Sequence, residues 1–209
     1  TALLLQAEAL GIPHAGGLLM LVAQAKRSAE IFLGKALPDS EIGRITALLQ
    51  RQMQNIILIG MPGAGKSSVG KALAEQLGRP YFETDRELEK AAGMPIPAIF
   101  EREGEEGFRA RESKTLTSLG KLSGAVISTG GGCVTREENY LPLHQNGVII
   151  RIHRDTEKLA REGRPLSLHA DLNKMFATRD PLYARFADYT VDNNGILINT
   201  VQAIEEILK

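Results

Sequence analysis

The spacing of apolar positions changes near residue 55. Before it, apolar residues recur at helical intervals. The pattern predicts helices over 3–10 and 20–33, the second closed by Gly34 and Pro38. A third helix is expected from Asp39, a capping residue, to about 53. From Asn55 onward, short apolar runs alternate with helical stretches. The runs at 56–59, 80–83, 125–128, 148–152 and 189–191 read as strands. This alternation predicts an α/β fold, a five-stranded parallel sheet with helices on both faces, behind an all-helical segment. The expected division is 1–54 and 55–209. Ligands of such sheets bind beyond the carboxyl ends of the strands, so the residues leaving each strand carry the chemistry.

The first strand runs straight into Gly60-Met61-Pro62-Gly63-Ala64-Gly65-Lys66-Ser67, a complete G-x-x-x-x-G-K-S phosphate loop. A helical pattern from Ser68 to Leu77 follows, with Gly78 as its stop. Glycines let backbone N–H groups curl around phosphate oxygens, and the helix N-terminus adds partial positive charge. Lys66 is expected to reach the β- and γ-phosphates, and Ser67 to hold Mg²⁺. A chance match in a chain this long is on the order of one in a hundred. The flanking strand and helix lower that further.

The second strand leads into Glu83-Thr84-Asp85-Arg86-Glu87. Phosphoryl transfer needs one carboxylate near Mg²⁺ and another to orient or deprotonate the acceptor hydroxyl. The competing reading makes Asp85 a helix cap. The third strand ends in Ser128-Thr129-Gly130-Gly131-Gly132. Many phosphate-loop proteins place an Mg²⁺-associated Asp at such a strand end. No acid stands here, which shifts that role toward Glu83 and Asp85. Three glycines permit close approach to a ligand and offer bare N–H donors, or simply make a tight turn.

Three arginine segments remain. Arg109 and Glu112 lie three apart on one helical face, either a carboxylate grip or a surface ion pair. Arg161-Glu162-Gly163-Arg164-Pro165 breaks a helix in a way that suits a lid excluding water from transfer. Arg179-Asp180-Pro181-Leu182-Tyr183 puts another arginine near an expected kink. Each is otherwise a solvated loop arginine.

Composition narrows the picture. The chain has 209 residues, 43% hydrophobic, with 25 basic and 25 acidic side chains. That suits one α/β domain plus an extra piece, and a net charge of zero gives no support for nucleic-acid or membrane-surface binding. No apolar run reaches membrane-spanning length; the longest, 17–23, is too short, and no signal-peptide pattern surrounds it. The single cysteine, Cys133, excludes an internal disulfide and fits the cytoplasm. Cys133 itself reads as a small buried residue, with a catalytic thiol as the alternative. The four histidines show no metal-ligand spacing.

Taken in order, these motifs resemble the shikimate kinase family. Its pattern is a G-x-x-G-x-G-K-[ST] loop, a D-x-D pair, an F-R-x-x-E helix, a G-G-G loop, an R-P lid and an R-x-P-L-Y segment. The match spans about 55–209. The resemblance implies a nucleoside-monophosphate-kinase-like fold with a substrate domain and a lid. It implies ATP-dependent phosphorylation of the shikimate 3-hydroxyl, in the pathway to chorismate and aromatic amino acids. Gly63, Ala64, Gly65, Lys66, Ser67 and Ser68 match the nucleotide loop. Asp85 matches the acid that contacts shikimate hydroxyls and serves as base. Arg109 and Arg179 match the arginines that hold the shikimate carboxylate, and Gly130, Gly131 and Gly132 the loop lining the substrate. Arg164 matches the lid arginine that reaches the transferring phosphate, and Arg161 an adenine-stacking arginine. Ser67 and Glu83 fall at the Mg²⁺ positions, although the family usually has Asp where Glu83 stands. The alternatives are a kinase of another small carboxylated acceptor such as gluconate, and a non-catalytic ATP-binding module.

The first 54 residues carry a second resemblance. Thr1-Ala2-Leu3-Leu4-Leu5-Gln6-Ala7, then Gly17 to Ala25, resemble the C-terminal end of shikimate dehydrogenase. Gln24 matches a glutamine that contacts shikimate there. The dinucleotide-binding glycines and the catalytic Lys and Asp of that enzyme are absent from this chain. Thr1 is not a methionine, and the expectation is a kinase fused in the full-length protein to a dehydrogenase domain, with a non-functional remnant attached here.

Overall fold

The computed structural model describes residues 2–159 and 172–209. The chain divides into two compact units, Thr1–Met53 and Gln54–Lys209. The first holds α1 (Ala2–Ala9), α2 (Leu18–Leu33) and α3 (Ser40–Met53). Gly34 ends α2 in the left-handed conformation, φ 64°. Asp39 precedes α3 as expected, and its carboxylate pairs with Lys26 Nζ of α2 at 2.9 Å. Leu19, Met20, Leu21, Ile31 and Phe32 of α2 stay exposed, Phe32 at 90%.

The second unit is built on β1 (Asn55–Ile59), β2 (Tyr81–Glu83), β3 (Val126–Ser128), β4 (Gly147–His153) and β5 (Tyr189–Asp192). They form one parallel sheet in the order β2-β3-β1-β4-β5. Helices α4 (Lys66–Leu77), α5 (Thr84–Ala92), α6 (Ile96–Leu119), α7 (Tyr140–His144), α8 (Leu172–Phe186) and α9 (Leu197–Ile207) cover its two faces. Ile56, Ile57, Leu58 and Ile59 are all fully buried. Side chains alternate across a strand, so burial of four in a row requires cover on both faces, which only a central strand has.

All five expected strands form, with ends moved by one residue for identifiable reasons. β1 begins at Asn55, because its buried amide donates to Leu122 O at 2.7 Å and accepts from Ala125 N at 2.9 Å. Pro80 stays outside β2. It has no N–H for the ladder, yet its carbonyl still accepts from Val126 N at 2.9 Å. α4 lies tight on the sheet at Gly70, where a Cβ would come within 2.7 Å of the Tyr81 ring and 3.2 Å of Leu58. Gly78 ends α4 as expected, its N–H donating back to Ala74 O and Glu75 O. α6 bends at Gly104, and α8 runs on through Pro181 where a kink was expected.

Candidate active site

The phosphate loop joins the buried end of β1 to α4. Gly60 and Gly65 hold φ values of 143° and 93°, which side chains rarely adopt. Both are also crowded: a Cβ on Gly60 would strike Ile152 O of β4, and one on Gly65 would strike Asn193 Nδ2. Asn193, just after β5, braces the loop by donating to Ala64 O at 2.7 Å, and Thr200 fixes Asn193 through a 2.8 Å hydrogen bond. Lys66 is buried and spans the loop, donating to Gly60 O at 2.8 Å and Met61 O at 3.0 Å. Gly63 and Ala64 are buried, whereas Ser68 faces outward on the first turn of α4.

Ser67, on the first turn of α4, meets Glu83 at the end of β2, the Ser67 hydroxyl donating to Glu83 Oε1 at 2.5 Å. Arg86 holds the other Glu83 oxygen at 3.2 Å. A hydroxyl and a carboxylate at the mouth of a phosphate loop fit Mg²⁺, which takes one or two carboxylates and fills its other positions with phosphate and water.

Asp85 is inside α5, not its cap. Glu83 occupies the capping position in extended conformation and makes no side-chain cap bond. Burial raises the Asp85 carboxyl above its ordinary range, against the pull of Lys66 and with a further push from Glu83 and Glu89. A point at the Cβ position of Gly130 lies 3.0 Å from Asp85 Oδ1 and 2.9 Å from Glu112 Oε1. Two carboxylates from different helices thus converge on one glycine.

Glu112 is only 2% exposed, so the Arg109–Glu112 pair is a buried one rather than a surface one. Arg109 Nη1 donates to Glu112 Oε2 at 2.7 Å, while Glu112 Oε1 is buried without a partner. Burial again raises this carboxyl, opposed by Arg109. The Arg109 guanidinium fills the space that a Gly132 side chain would need. From α8, Arg179 Nη1 donates to Gly131 O at 3.2 Å and Tyr183 Oη to the same oxygen at 2.5 Å. Gly131 packs on Pro62 of the phosphate loop, a Cβ there falling 2.6 Å from Pro62 Cδ. The glycine run therefore works by close approach on three sides. Its first N–H is not bare: Gly130 N donates to Thr84 Oγ1 at 3.0 Å.

The fold thus brings Lys66, Ser67, Glu83, Asp85, Arg109, Gly130, Gly131, Gly132 and Arg179 to one end of the sheet. Arg161 and Arg164 lie outside the described residues. Cys133 is fully buried, its thiol donating to Thr129 Oγ1 at 3.2 Å and pushed up to about 12 by burial. A thiol that stays protonated is no nucleophile. No helix among the described residues is long and apolar enough to cross a membrane.

The family model for shikimate kinase matches residues 62–209. The chain belongs to the shikimate kinase family. The shikimate kinase of Neisseria meningitidis serogroup C is 40% identical over 163 residues, covering 74% of this chain and 94% of the relative. That of Pseudomonas putida is 43% identical over 169 residues, covering 74% of this chain and 98% of the relative. Among solved structures, shikimate kinase from Acinetobacter baumannii in complex with shikimate superposes with a TM-score of 0.71 at 38% identity. It covers 78% of this chain and 96% of that one.

Several residues of this site escaped the sequence reading. Asn193 and Thr84 are ordinary turn and helix-start residues until the sheet order brings them to the two glycine loops. Arg151 of β4 is 8% exposed and ion-paired with Asp180, beside Arg179 on α8. A charged residue inside an apolar strand run was the available signal.

Proposed function

We propose that this kinase transfers the γ-phosphoryl group of ATP to the 3-hydroxyl of shikimate through Lys66, Asp85, Arg109 and Arg179. The hydroxyl oxygen forms a new bond to the γ-phosphorus. The bond from that phosphorus to the β–γ bridging oxygen breaks, and ADP leaves with the electron pair. The hydroxyl proton passes to Asp85, whose raised affinity for protons suits a base that must also release one. Lys66 and the loop N–H groups neutralise charge developing on the phosphates. Ser67 and Glu83 would hold Mg²⁺, which supplies further charge neutralisation on the phosphate oxygens. Glu112 holds Arg109 in place, and Arg109 with Arg179 grips the acceptor carboxylate. Arg164 and Arg161 complete this reading as the phosphate-contacting and adenine-stacking arginines of the lid.

What carries the reading is the convergence of the phosphate loop, one buried acid and two guanidinium groups around Gly130, Gly131 and Gly132. An ADP-release assay with shikimate, with gluconate and with no acceptor tests it. Release dependent on shikimate is expected. Release equal with gluconate, or with no acceptor, would overturn the substrate assignment.

Truncating one arm of a desolvated charge-assisted pair costs about 2–5 kcal/mol, roughly a 30-fold to several-thousand-fold change. Arg109→Ala and Arg179→Ala should each weaken shikimate binding by such a factor and change ATP binding less than threefold, by about the noise of a titration. Calorimetric titration of each variant with both ligands checks this. Equal losses for the two ligands would point to a folding role instead.

Residues 1–54 we read as the C-terminal end of a shikimate dehydrogenase domain, to which the full-length protein is fused. Supporting this are the motif resemblance, the start of the kinase match at residue 62, and the exposed apolar residues of α2. Dehydrogenase and kinase catalyse successive steps on shikimate. A chain starting at Gln52 should keep its shikimate-dependent ATP turnover, and the full chain should not oxidise shikimate with NADP. Loss of the first activity or gain of the second would contradict the remnant reading. A cytoplasmic setting is part of this reading, supported by the single cysteine, Cys133, which leaves no internal disulfide.

A further inference from the structure

Arg154 is the first residue after β4, and nothing in the mechanism above uses it. The register pairs Ile59 with Arg151, so three residues further along β4 the chain stands level with the phosphate loop. A Cβ built on Gly65 would lie 3.8 Å from Arg154 Nη1. The guanidinium therefore borders the loop from the β4 side, opposite the side where Glu83 meets Ser67.

Its surroundings lack an anion. Arg154 Nε is buried and has no hydrogen-bond partner. Among the described residues Arg154 makes no ion pair. The adjacent Asp155 is turned to other partners, Lys158 at 3.3 Å and Asn194 at 3.0 Å. The polar side-chain group next to it at Gly65 is itself a donor, Asn193 Nδ2, which is spent on Ala64 O. A surface arginine normally finds water or a carboxylate for every N–H. A partly buried guanidinium at the edge of a phosphate loop, with a donor rather than an acceptor as its neighbour, is instead matched to a multiply charged oxyanion, which can accept from two of its N–H groups at once.

We propose that Arg154 is a nucleotide-binding residue that grips the phosphate chain of a nucleoside di- or triphosphate seated in the loop. It acts alongside Lys66 and independently of the lid arginines. The proposal rests on the phosphate-loop reading, and the test separates the two. ADP binding to the full chain is measured by calorimetry without shikimate, for the wild type and for Arg154→Ala, Arg154→Gln and Arg154→Lys. Losing charge-assisted hydrogen bonds should weaken ADP roughly 10- to 100-fold in the Ala and Gln variants, with partial recovery in Lys, which keeps the charge but not the fork. Shikimate affinity and melting temperature should be unchanged. Inorganic tripolyphosphate, which has no base, is the second probe and should weaken by the same factor. A wild type that fails to bind ADP refutes the phosphate-loop reading itself. Wild-type binding with unaltered ADP affinity in the Ala and Gln variants refutes the role of Arg154. So does weakened ADP with unaltered tripolyphosphate, which places Arg154 on the base or ribose. Equal losses for ADP and shikimate in both variants make it a structural residue and likewise refute the proposal.

Discussion

Lys66→Ala is expected to lower turnover by about 100-fold or more while the fold persists, as removal of one preorganised donor from a charge-developing site does elsewhere. Lys66 is buried, but its loop bonds go to backbone carbonyls, Gly60 O and Met61 O, and not to a side chain of the core. Steady-state kinetics with circular dichroism of the same sample checks both halves. Turnover within a few-fold of wild type would remove Lys66 from the mechanism, and an unfolded variant would make it a structural residue.

Asp85→Asn should cut kcat by about 10²–10⁴, the usual contribution of a positioned general base, and leave the affinity for ATP nearly unchanged. The same substitution should stabilise the protein. Burial raises the Asp85 carboxyl in the folded state above its ordinary value of 3.8. Between those two values the unfolded chain has lost the proton and the folded chain still holds it. Stability of the wild type therefore falls as pH rises through this window and then levels off. Asparagine carries no such penalty. The variant should melt higher than wild type at pH 7 to 8, and the gap should close as pH drops toward 4. Thermal unfolding of both proteins across that range is the measurement. Retained kcat would mean that the Asp85 charge is not catalytic, and a variant less stable at neutral pH that it is not strained. A stabilising change that destroys activity is the pattern expected where a site holds a charge against its own solvation.

The contrast between Asp85 and the phosphate loop shows where sequence reading runs out. A run of apolar residues ending in G-x-x-x-x-G-K-S carries its strand, its loop and its helix in one continuous stretch, residues 55–77. Local chemistry was sufficient there. Asp85 is different. Helix cap and buried acid have the same local sequence, and what separates them is Glu112 on another helix and Gly130 on another strand end. Arg109 and Glu112 looked like a surface pair by spacing alone. They are buried because the Gly132 Cα leaves room for the guanidinium. The three glycines suggested bare donors, whereas Thr84 occupies the first of them. Asn193 and Arg154 belong to turns after β5 and β4, and their relation to Gly65 exists only through the strand order. Sites assembled from several strand ends are legible residue by residue, but the partnerships are not, because they depend on contacts far apart in the chain.

The most direct test of the account is the product itself. Phosphorus–proton correlation NMR on a reaction of the full chain with ATP, Mg²⁺ and shikimate should show one new phosphomonoester, coupled to the proton on carbon 3. It should accumulate one-for-one with ADP. ADP formed with only free phosphate as its counterpart, or a phosphoryl group on another hydroxyl, would contradict the placement of Asp85 between the phosphate loop and the carboxylate-binding arginines.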